Sequence, residues 1–369
     1  MRSSILYIVP DLIGLPGGIA RYCRHVCRAL SDMGERVNVI ALRDAKGSDP
    51  RTEGLDIDHY TPCARNKVEF ALRAFVGAAR SRPRLILCGH PNFAPLAYSV
   101  SRAFRVPYVV FLYGTDSWEP LPGSRGFALR RADHFVSISR HTARLAEQAN
   151  GLAMNRIEIL HNCLDPEFRF SDSECMRQRR ASMLTVSRIT TFEPRKGQET
   201  VLRALPRLVE KFPDLVYDIV GDGDRRQSLE KMATDLGVRD SVRFHGVVTD
   251  EMLAEFYSTG AVFVMPSTVE GFGFVFAEAM AHGMPAIGGN TDAGPEVIVD
   301  GRTGYVIDPT SPDAVVETVS SLLGSAQLWN EMSEAALAHA RTNFSYSRFR
   351  DRLGEILVRV TGSTNERQS

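Results

Sequence analysis

Short runs of consecutive apolar residues alternate along this chain with longer stretches in which apolar positions recur every three to four residues. The runs Ile5–Val9, Arg36–Ala41, Leu85–Cys88, Tyr108–Leu112, Phe135–Ile138 and Ile157–Leu160 are short and nearly unbroken, which predicts strands covered on both faces. The amphipathic stretches between them predict helices. Strand and helix in strict alternation give a doubly wound parallel sheet. The pattern restarts after the polar segment Asp165–Arg180, with strands expected at Met183–Val186, Tyr217–Val220, Val242–Phe244, Ala261–Met265, Ala286–Gly288 and Gly304–Ile307. Two similar α/β halves are therefore expected, facing each other. In such sheets ligands bind beyond the carboxyl ends of the strands, so the active site is expected in a cleft between the halves.

Length agrees with two domains, because 369 residues exceed a single typical core. The division is expected as residues 1–170, residues 171–343, a terminal helix over 344–360 and a disordered tail over 361–369. A hydrophobic fraction of 44% and a charged fraction of 24% are those of a soluble globular protein. The start is a short strand rather than a signal peptide, and no run of about 18 apolar residues occurs. A cytoplasmic protein is expected, with no nucleic-acid partner. The formal net charge is +0, yet residues 1–175 hold slightly more Lys and Arg than Asp and Glu. Arg65, Lys67, Arg73, Arg80, Arg82, Arg84, Arg125, Arg130 and Arg131 either face anionic lipid headgroups or a lipid diphosphate, or form a solvated basic surface. The six cysteines (Cys23, Cys27, Cys63, Cys88, Cys163, Cys175) include no C-x-x-C pair and read as reduced packing thiols. Cys23 and Cys27 lie four apart on a predicted helix, but no matching pair follows at zinc-site spacing.

The chemistry concentrates between Pro266 and Pro295. An apolar strand enters a Pro-Ser loop, Gly271 and Gly273 permit close approach of backbone to a ligand, and a helix opens near Phe274. Free N–H groups and the positive dipole end of that helix favour a diphosphate. Glu278, one turn in, is placed to accept hydrogen bonds from ribose hydroxyls, and Glu270, ahead of the helix, would sit nearer a sugar.

With this spacing the segment resembles the E-x7-E element of retaining GT-B glycosyltransferases, in particular family 4. Val186-Ser187-Arg188 with Lys196-Gly197, Val220-Gly221-Asp222-Gly223, Phe244-His245-Gly246, Glu270 with Glu278, Pro295-Glu296-Val297 and Asp300-Gly301-x-x-Gly304 follow in that family's order. The resemblance implies two Rossmann-like domains, the first on the acceptor side and the second binding the nucleotide sugar, with the terminal helix crossing back to the first. It implies transfer of a sugar from a UDP- or GDP-sugar to a hydroxyl acceptor, a lipid-linked saccharide or polysaccharide precursor, with retention. No cofactor and no metal are expected, and peripheral association with the inner face of the cytoplasmic membrane is. A nucleotide-sugar epimerase or a phosphorylase on the same fold is the alternative, and a non-enzymatic sugar-nucleotide sensor a third reading.

Within that frame Arg188 and Lys196 are expected to stabilise the leaving phosphate. Glu270 and Asp116 join them as catalytic candidates. Donor contacts are expected from Gly17, Gly18, Gly221, Gly246, Val247, Gly271, Phe272, Gly273, Phe274, Val275 and Glu278. Gly17 and Gly18 belong to the Gly-rich turn Gly14–Ile19, which lacks the G-x-G-x-x-G of a dinucleotide site. Phe111–Asp116 resembles the family's H-G-x-D segment, with Tyr113 where a histidine is expected. His90, Tyr113 and Asn162 are expected as sugar or acceptor contacts, with Cys163 replacing the glycine of an N-G-x-D turn. Asp222-Gly223-Asp224 mimics a metal-binding D-x-D, but its glycines suit a tight strand-to-helix turn.

Overall fold

Strands form at every apolar run named above, all of them in parallel sheets, with Ile157–Ile159, Val242–Gly246 and Gly304–Ile307 at sheet edges and the others inside. The computed structural model describes residues 4–13, 17–170, 179–191 and 196–365. Contacts divide the chain into two units, Met1–Asp165 with Tyr346–Ser369, and Pro166–Ser345. The first change of unit thus falls at Asp165, where the sequence reading put it at 170.

The first unit contains β1 (Ser4–Val9), α1 (Gly18–Asp32), β2 (Arg36–Ala41), β3 (His59–Pro62), α2 (Lys67–Ser81), β4 (Leu85–Cys88), α3 (Ala94–Phe104), β5 (Tyr108–Leu112), α4 (Gly123–Leu129), β6 (His134–Ser137), α5 (Arg140–Asn150) and β7 (Ile157–Ile159). Its strands are parallel in the order β3-β2-β1-β4-β5-β6-β7. Every residue of β1, β4 and β5 is buried, which accounts for their unbroken apolar sequences. Strand β3 was not predicted. It is an edge strand whose His59-Tyr60-Thr61-Pro62 is at most half-buried and carries no apolar signal.

The second unit contains β8 (Ser182–Val186), α6 (Gln198–Lys211), β9 (Val216–Val220), α7 (Arg226–Asp235), β10 (Val242–Gly246), α8 (Asp250–Thr259), β11 (Val262–Met265), α9 (Phe274–Ala281), β12 (Ala286–Gly289), α10 (Gly294–Val297), β13 (Gly304–Ile307), α11 (Pro312–Gly324) and α12 (Ala326–Asn343). Its sheet is also parallel, in the order β10-β9-β8-β11-β12-β13. Trp329 of α12 is nearly buried and donates its indole N–H to the Ala261 carbonyl at 2.7 Å, satisfying the one polar atom of a large apolar ring.

The last helix, α13 (Tyr346–Asn365), extends beyond the expected end at 360, and residues 366–369 lie outside the described residues. It packs on α1 of the first unit. Phe349 is 3% exposed and meets the edges of Tyr22 and His25 at ring-centroid distances of 5.5 and 6.0 Å. Arg352 reaches the Glu158 carboxylate of β7 at 3.0 Å and the Ile159 carbonyl at 3.3 Å. Removing a buried aromatic ring costs about 3–5 kcal/mol. Phe349→Ala is therefore expected to lower the unfolding midpoint of the first unit while leaving that of the second unchanged. Urea unfolding followed by hydrogen exchange of peptides from each unit reads the two separately.

Candidate functional site

A doubly wound sheet reverses its winding where strands adjacent in the sheet are distant in sequence, and loops on either side of that point leave a crevice at the carboxyl edge. In the second unit the reversal lies between β8 and β11. Arg188, two residues past β8, is exposed there. Lys196 ends the same connection, beyond residues 192–195, which lie outside the described residues. Glu270 lies in the loop that leaves β11, and its Oε1 forms an ion pair with Lys196 Nζ. Their side chains retain only 15% and 13% exposure, so the pair is largely shielded from water.

Glycine makes that meeting geometrically accessible. Gly197 has φ +83°, and a Cβ there would lie 2.4 Å from the Pro266 carbonyl oxygen, so the two loops touch through backbone. Gly273, at φ +88°, precedes α9 and, having no side chain, makes no side-chain cap of its own there. Phe274 and Val275 follow as its first residues. Phe272, expected at the donor, is 2% exposed with its ring edge-on to Phe344 at 5.5 Å, and so anchors the loop from below. Glu278, half-buried, accepts a hydrogen bond from the Tyr257 hydroxyl of α8 at 3.0 Å.

The neighbouring loops complete this edge. The Gly221 amide donates to the Gly246 carbonyl at 2.7 Å, joining the ends of β9 and β10, and Val247 beside it is 84% exposed. The Asp222 and Asp224 carboxylates brace the turns around them. Asp222 accepts from the Gly223 amide at 2.8 Å, and Asp224 from the Thr191 amide and hydroxyl at 2.7 and 2.6 Å. Among the described residues no group of three or more His, Cys, Asp or Glu side chains is arranged to hold a metal ion.

In the first unit the reversal lies between β1 and β4. Gly14, Leu15 and Pro16 lie outside the described residues, while Gly17 is exposed and Gly18 opens α1. His90 follows β4. Its Nδ1 accepts the Asn92 amide at 3.1 Å, and burial, reinforced by the charge of Arg43, lowers its imidazole to about 4, so it is neutral at physiological pH. Tyr113 is 8% exposed, with its ring nearly parallel to Phe111 and its hydroxyl 3.6 Å from Cys23 Sγ. Burial holds that phenol well above its ordinary value, which removes it from proton transfer near neutrality. Asp116 accepts the Tyr113 amide at 3.3 Å through Oδ1, while Oδ2 is buried with no hydrogen-bond partner. Burial raises this carboxyl to about 7 against the pull of the Gly114 and Tyr113 amides. Asn162 is 5% exposed and its Oδ1 is likewise buried without a partner.

Sequence reasoning missed the network beneath Asn162. His25, in the middle of α1, lies 2.7 Å from Asp165 Oδ1 through Nε2 and 3.3 Å from Cys163 Sγ through Nδ1. Arg21, one turn earlier, holds Asp165 Oδ2 at 2.6 Å. A cysteine, a histidine and an aspartate in line suggest a nucleophile, but Cys163 is 1% exposed and burial lifts its thiol well above the ordinary range. The network fixes the turn that carries Asn162.

Burial alone would raise the Asp165 carboxyl; the His25 hydrogen bond and the Arg21 charge together hold it well below the usual range. A carboxyl lowered in the folded state stabilises the protein above its unfolded value of about 4, and the contribution disappears as pH falls below that. Asp165→Asn is expected to lower the urea midpoint at pH 7, with the deficit shrinking as acid is added below about pH 4. A deficit independent of pH would contradict this account.

Comparison with known proteins supplies the remaining findings. A model of the family "glycosyl transferases group 1" matches residues 178–339, and a model of the "glycosyl transferase 4-like domain" matches residues 17–163. The GDP-mannose-dependent alpha-(1-6)-phosphatidylinositol monomannoside mannosyltransferase of Mycolicibacterium smegmatis is 34% identical over 259 residues, which cover 65% of this chain and 66% of that protein. The D-inositol 3-phosphate glycosyltransferase of Streptomyces scabiei is 29% identical over 251 residues, covering 62% of this chain and 55% of the relative. The chain thus spans less than two thirds of the length of these curated relatives. The crystal structure of Anabaena Alr3699/HepE in complex with UDP superposes with a TM-score of 0.78 at 19% identity, over 96% of this chain and 99% of that one. At that identity the likeness is one of fold.

Proposed function

Since this chain belongs to the family of glycosyl transferases group 1, with two Rossmann-like units of the GT-B kind, we propose that it transfers a hexosyl group from a nucleoside diphosphate sugar to a hydroxyl acceptor. The observation that carries this reading is the Lys196–Glu270 pair at the winding reversal of the second unit, with Glu270 directly ahead of the start of α9. Breaking the bond between the sugar C1 and the diphosphate develops negative charge on the leaving phosphate. Lys196 and Arg188 supply positive charge there, and the first amides of α9, at Phe274 and Val275, supply dipoles that need no reorganisation. Gly271 and Gly273 let the diphosphate approach the backbone. Glu270 receives a sugar hydroxyl once Lys196 turns to phosphate, and Glu278 accepts from the ribose. Gly221, Gly246 and Val247 border the nucleoside. Gly17 and Gly18 approach the donor phosphates, and Asp116, His90 and Asn162 serve the sugar or the acceptor. The acceptor oxygen bonds to C1 on the same face from which the diphosphate leaves, and its proton passes to the departing phosphate. This gives retention, with no metal in the step.

The names of the relatives set the first choices for substrate: GDP-mannose as donor, and an inositol-bearing lipid or sugar as acceptor. A lipid acceptor fits one surface of the first unit. Val68, Leu72 and Val76, one turn apart along α2, are 71%, 61% and 40% exposed. Arg65, Lys67, Arg73, Arg80 and Arg82 lie around them. Apolar side chains flanked by cations suit peripheral contact with anionic lipid. No described helix is long and apolar enough to cross a membrane.

Two experiments test the reading. Incubation with GDP-mannose and a panel of UDP-, GDP-, ADP- and dTDP-sugars, with EDTA present, is expected to release nucleotide from one donor. Lys196→Ala should cut that release by about 10²–10³-fold, the loss typical of one preorganised charge-stabilising group. Release that requires inorganic phosphate would instead mark a phosphorylase, and isomerised donor without release an epimerase. Co-sedimentation with phosphatidylglycerol vesicles is expected to weaken at least tenfold in the Val68→Glu, Leu72→Glu double variant, since each buried apolar side chain contributes about 1.5 kcal/mol or more. Equal binding by both proteins would place the lipid contact elsewhere.

A further inference from the structure

The loop after β12 brings Asp292 within electrostatic reach of Glu270 and Lys196. It is held there through the backbone, because the Ala293 amide donates to the Glu270 carbonyl at 3.2 Å. Asp292 is 5% exposed. Its Oδ1 accepts the Gly294 amide at 2.8 Å, and its Oδ2 is buried with no hydrogen-bond partner. An ionised carboxylate with an orphaned oxygen in such a place is strongly disfavoured, while a protonated one loses far less. Burial raises the Asp292 carboxyl to about 7, Glu270 adds to the rise, and the Gly294 amide, the Ser267 hydroxyl and Lys196 oppose it. A second carboxyl therefore lies near the Lys196–Glu270 pair without an ion pair of its own to the ammonium. Lys196 comes from the connection after β8, Glu270 from the loop after β11 and Asp292 from the loop after β12, so three neighbouring strands each deliver one member.

We propose that Asp292 is a positioning residue of the donor site: its buried carboxyl, set beside the Lys196–Glu270 ion pair by the loop after β12, carries one proton, and loss of that proton weakens capture of the donor diphosphate. With the proton in place on Asp292, the cluster of Lys196, Glu270 and Asp292 is neutral, and the ammonium has one partner to leave when phosphate arrives. With the proton released to solvent, the cluster carries a net negative charge, and the second carboxylate repels the incoming anion. One added unit charge about 10 Å from a phosphate is enough, in an environment of intermediate dielectric, to change affinity by about tenfold. The inference rests on the nucleotide-sugar reading above.

Calorimetric titration of the full chain with GDP and with UDP, from about pH 6 to about pH 8.5, tests it against Asp292→Asn, which keeps the shape and removes the charge. The wild type is expected to lose about tenfold in affinity across that range beyond the change seen in the variant, and the variant to retain its affinity at high pH. Proton uptake by the nucleotide itself is common to both proteins and cancels in the comparison. Parallel profiles for the two proteins, or weak binding by the variant at every pH, would overturn the proposal. A second measurement needs no ligand. A carboxyl raised in the folded state leaves stability intact below its unfolded value near 4 and erodes it as pH rises through about 7. Asp292→Asn is therefore expected to melt above the wild type at pH 8, with the gap shrinking as pH falls and closing below about pH 4. A gap of equal size at both pH values would also overturn the proposal. If neither nucleotide binds at any pH while the melting gap follows this course, the donor reading fails and the titration of Asp292 stands.

Discussion

The ion pair of Lys196 and Glu270 joins two loops that leave the second sheet on opposite sides of its winding reversal. A largely buried charge is tolerable only beside its counter-charge, so either residue alone would be destabilising there. The pair therefore constrains its surroundings. The connection from β8 has to lie against the backbone at Pro266, which a left-handed Gly197 permits, and the loop from β11 has to return to a helix start at Gly273. Phe272 holds that loop down against Phe344. Preorganised charge and the anion-binding end of a helix meet at one place because the polypeptide has few other ways to shield both partners.

Much of the architecture was legible because parallel strands covered on both faces leave an unmistakable trace. Val109, Val110 and Phe111 follow one another without a polar break for that reason. His59–Pro62 left no such trace, since an edge strand needs no apolar face on its open side. The second unit's site was legible for a different reason: Glu270, Gly271, Gly273 and Glu278 are contiguous in sequence, and one strand-loop-helix passage expresses them together. His25, Cys163 and Asp165 were invisible because 138 residues separate the first two and neither has a periodic partner. Asp292 escaped notice similarly, its significance depending on charges that arrive from two other strands. For Tyr113 the sequence showed the substitution but not its direction, which is inward, against Phe111 and Cys23. The Asp222-Gly223-Asp224 pattern mimics a metal motif on paper while its glycines suit a tight turn, and only the fold shows which amides and hydroxyl those carboxylates accept from.

Each unit also contains a buried carboxyl with one orphaned oxygen, Asp116 in the first and Asp292 in the second, and burial lifts both to about 7. Folding selects against such groups in ordinary cores, where a hydrophobic side chain of the same size is safer. Both occur just beyond a strand's carboxyl end, where the fold concentrates its polar loops. The Asp165 carboxyl illustrates the opposite solution, with His25 and Arg21 occupying its oxygens and holding it ionised. The contrast separates carboxylates that finish a scaffold from carboxyls left with capacity to spare.

The position of α13 has a consequence for the order in which the protein matures. A chain leaves the ribosome amino end first, and domains generally fold as they emerge. The second unit, Pro166–Ser345, is fully translated before the helix that covers Tyr22 and His25 has appeared. The first unit, although begun earliest, is thus the last to be closed, and through most of synthesis it presents the apolar groove that Phe349 will fill. A ribosome stalled or a message truncated just before Tyr346 yields a complete second unit attached to an unfinished first one, a species with an exposed sticky face and an obvious claim on chaperones.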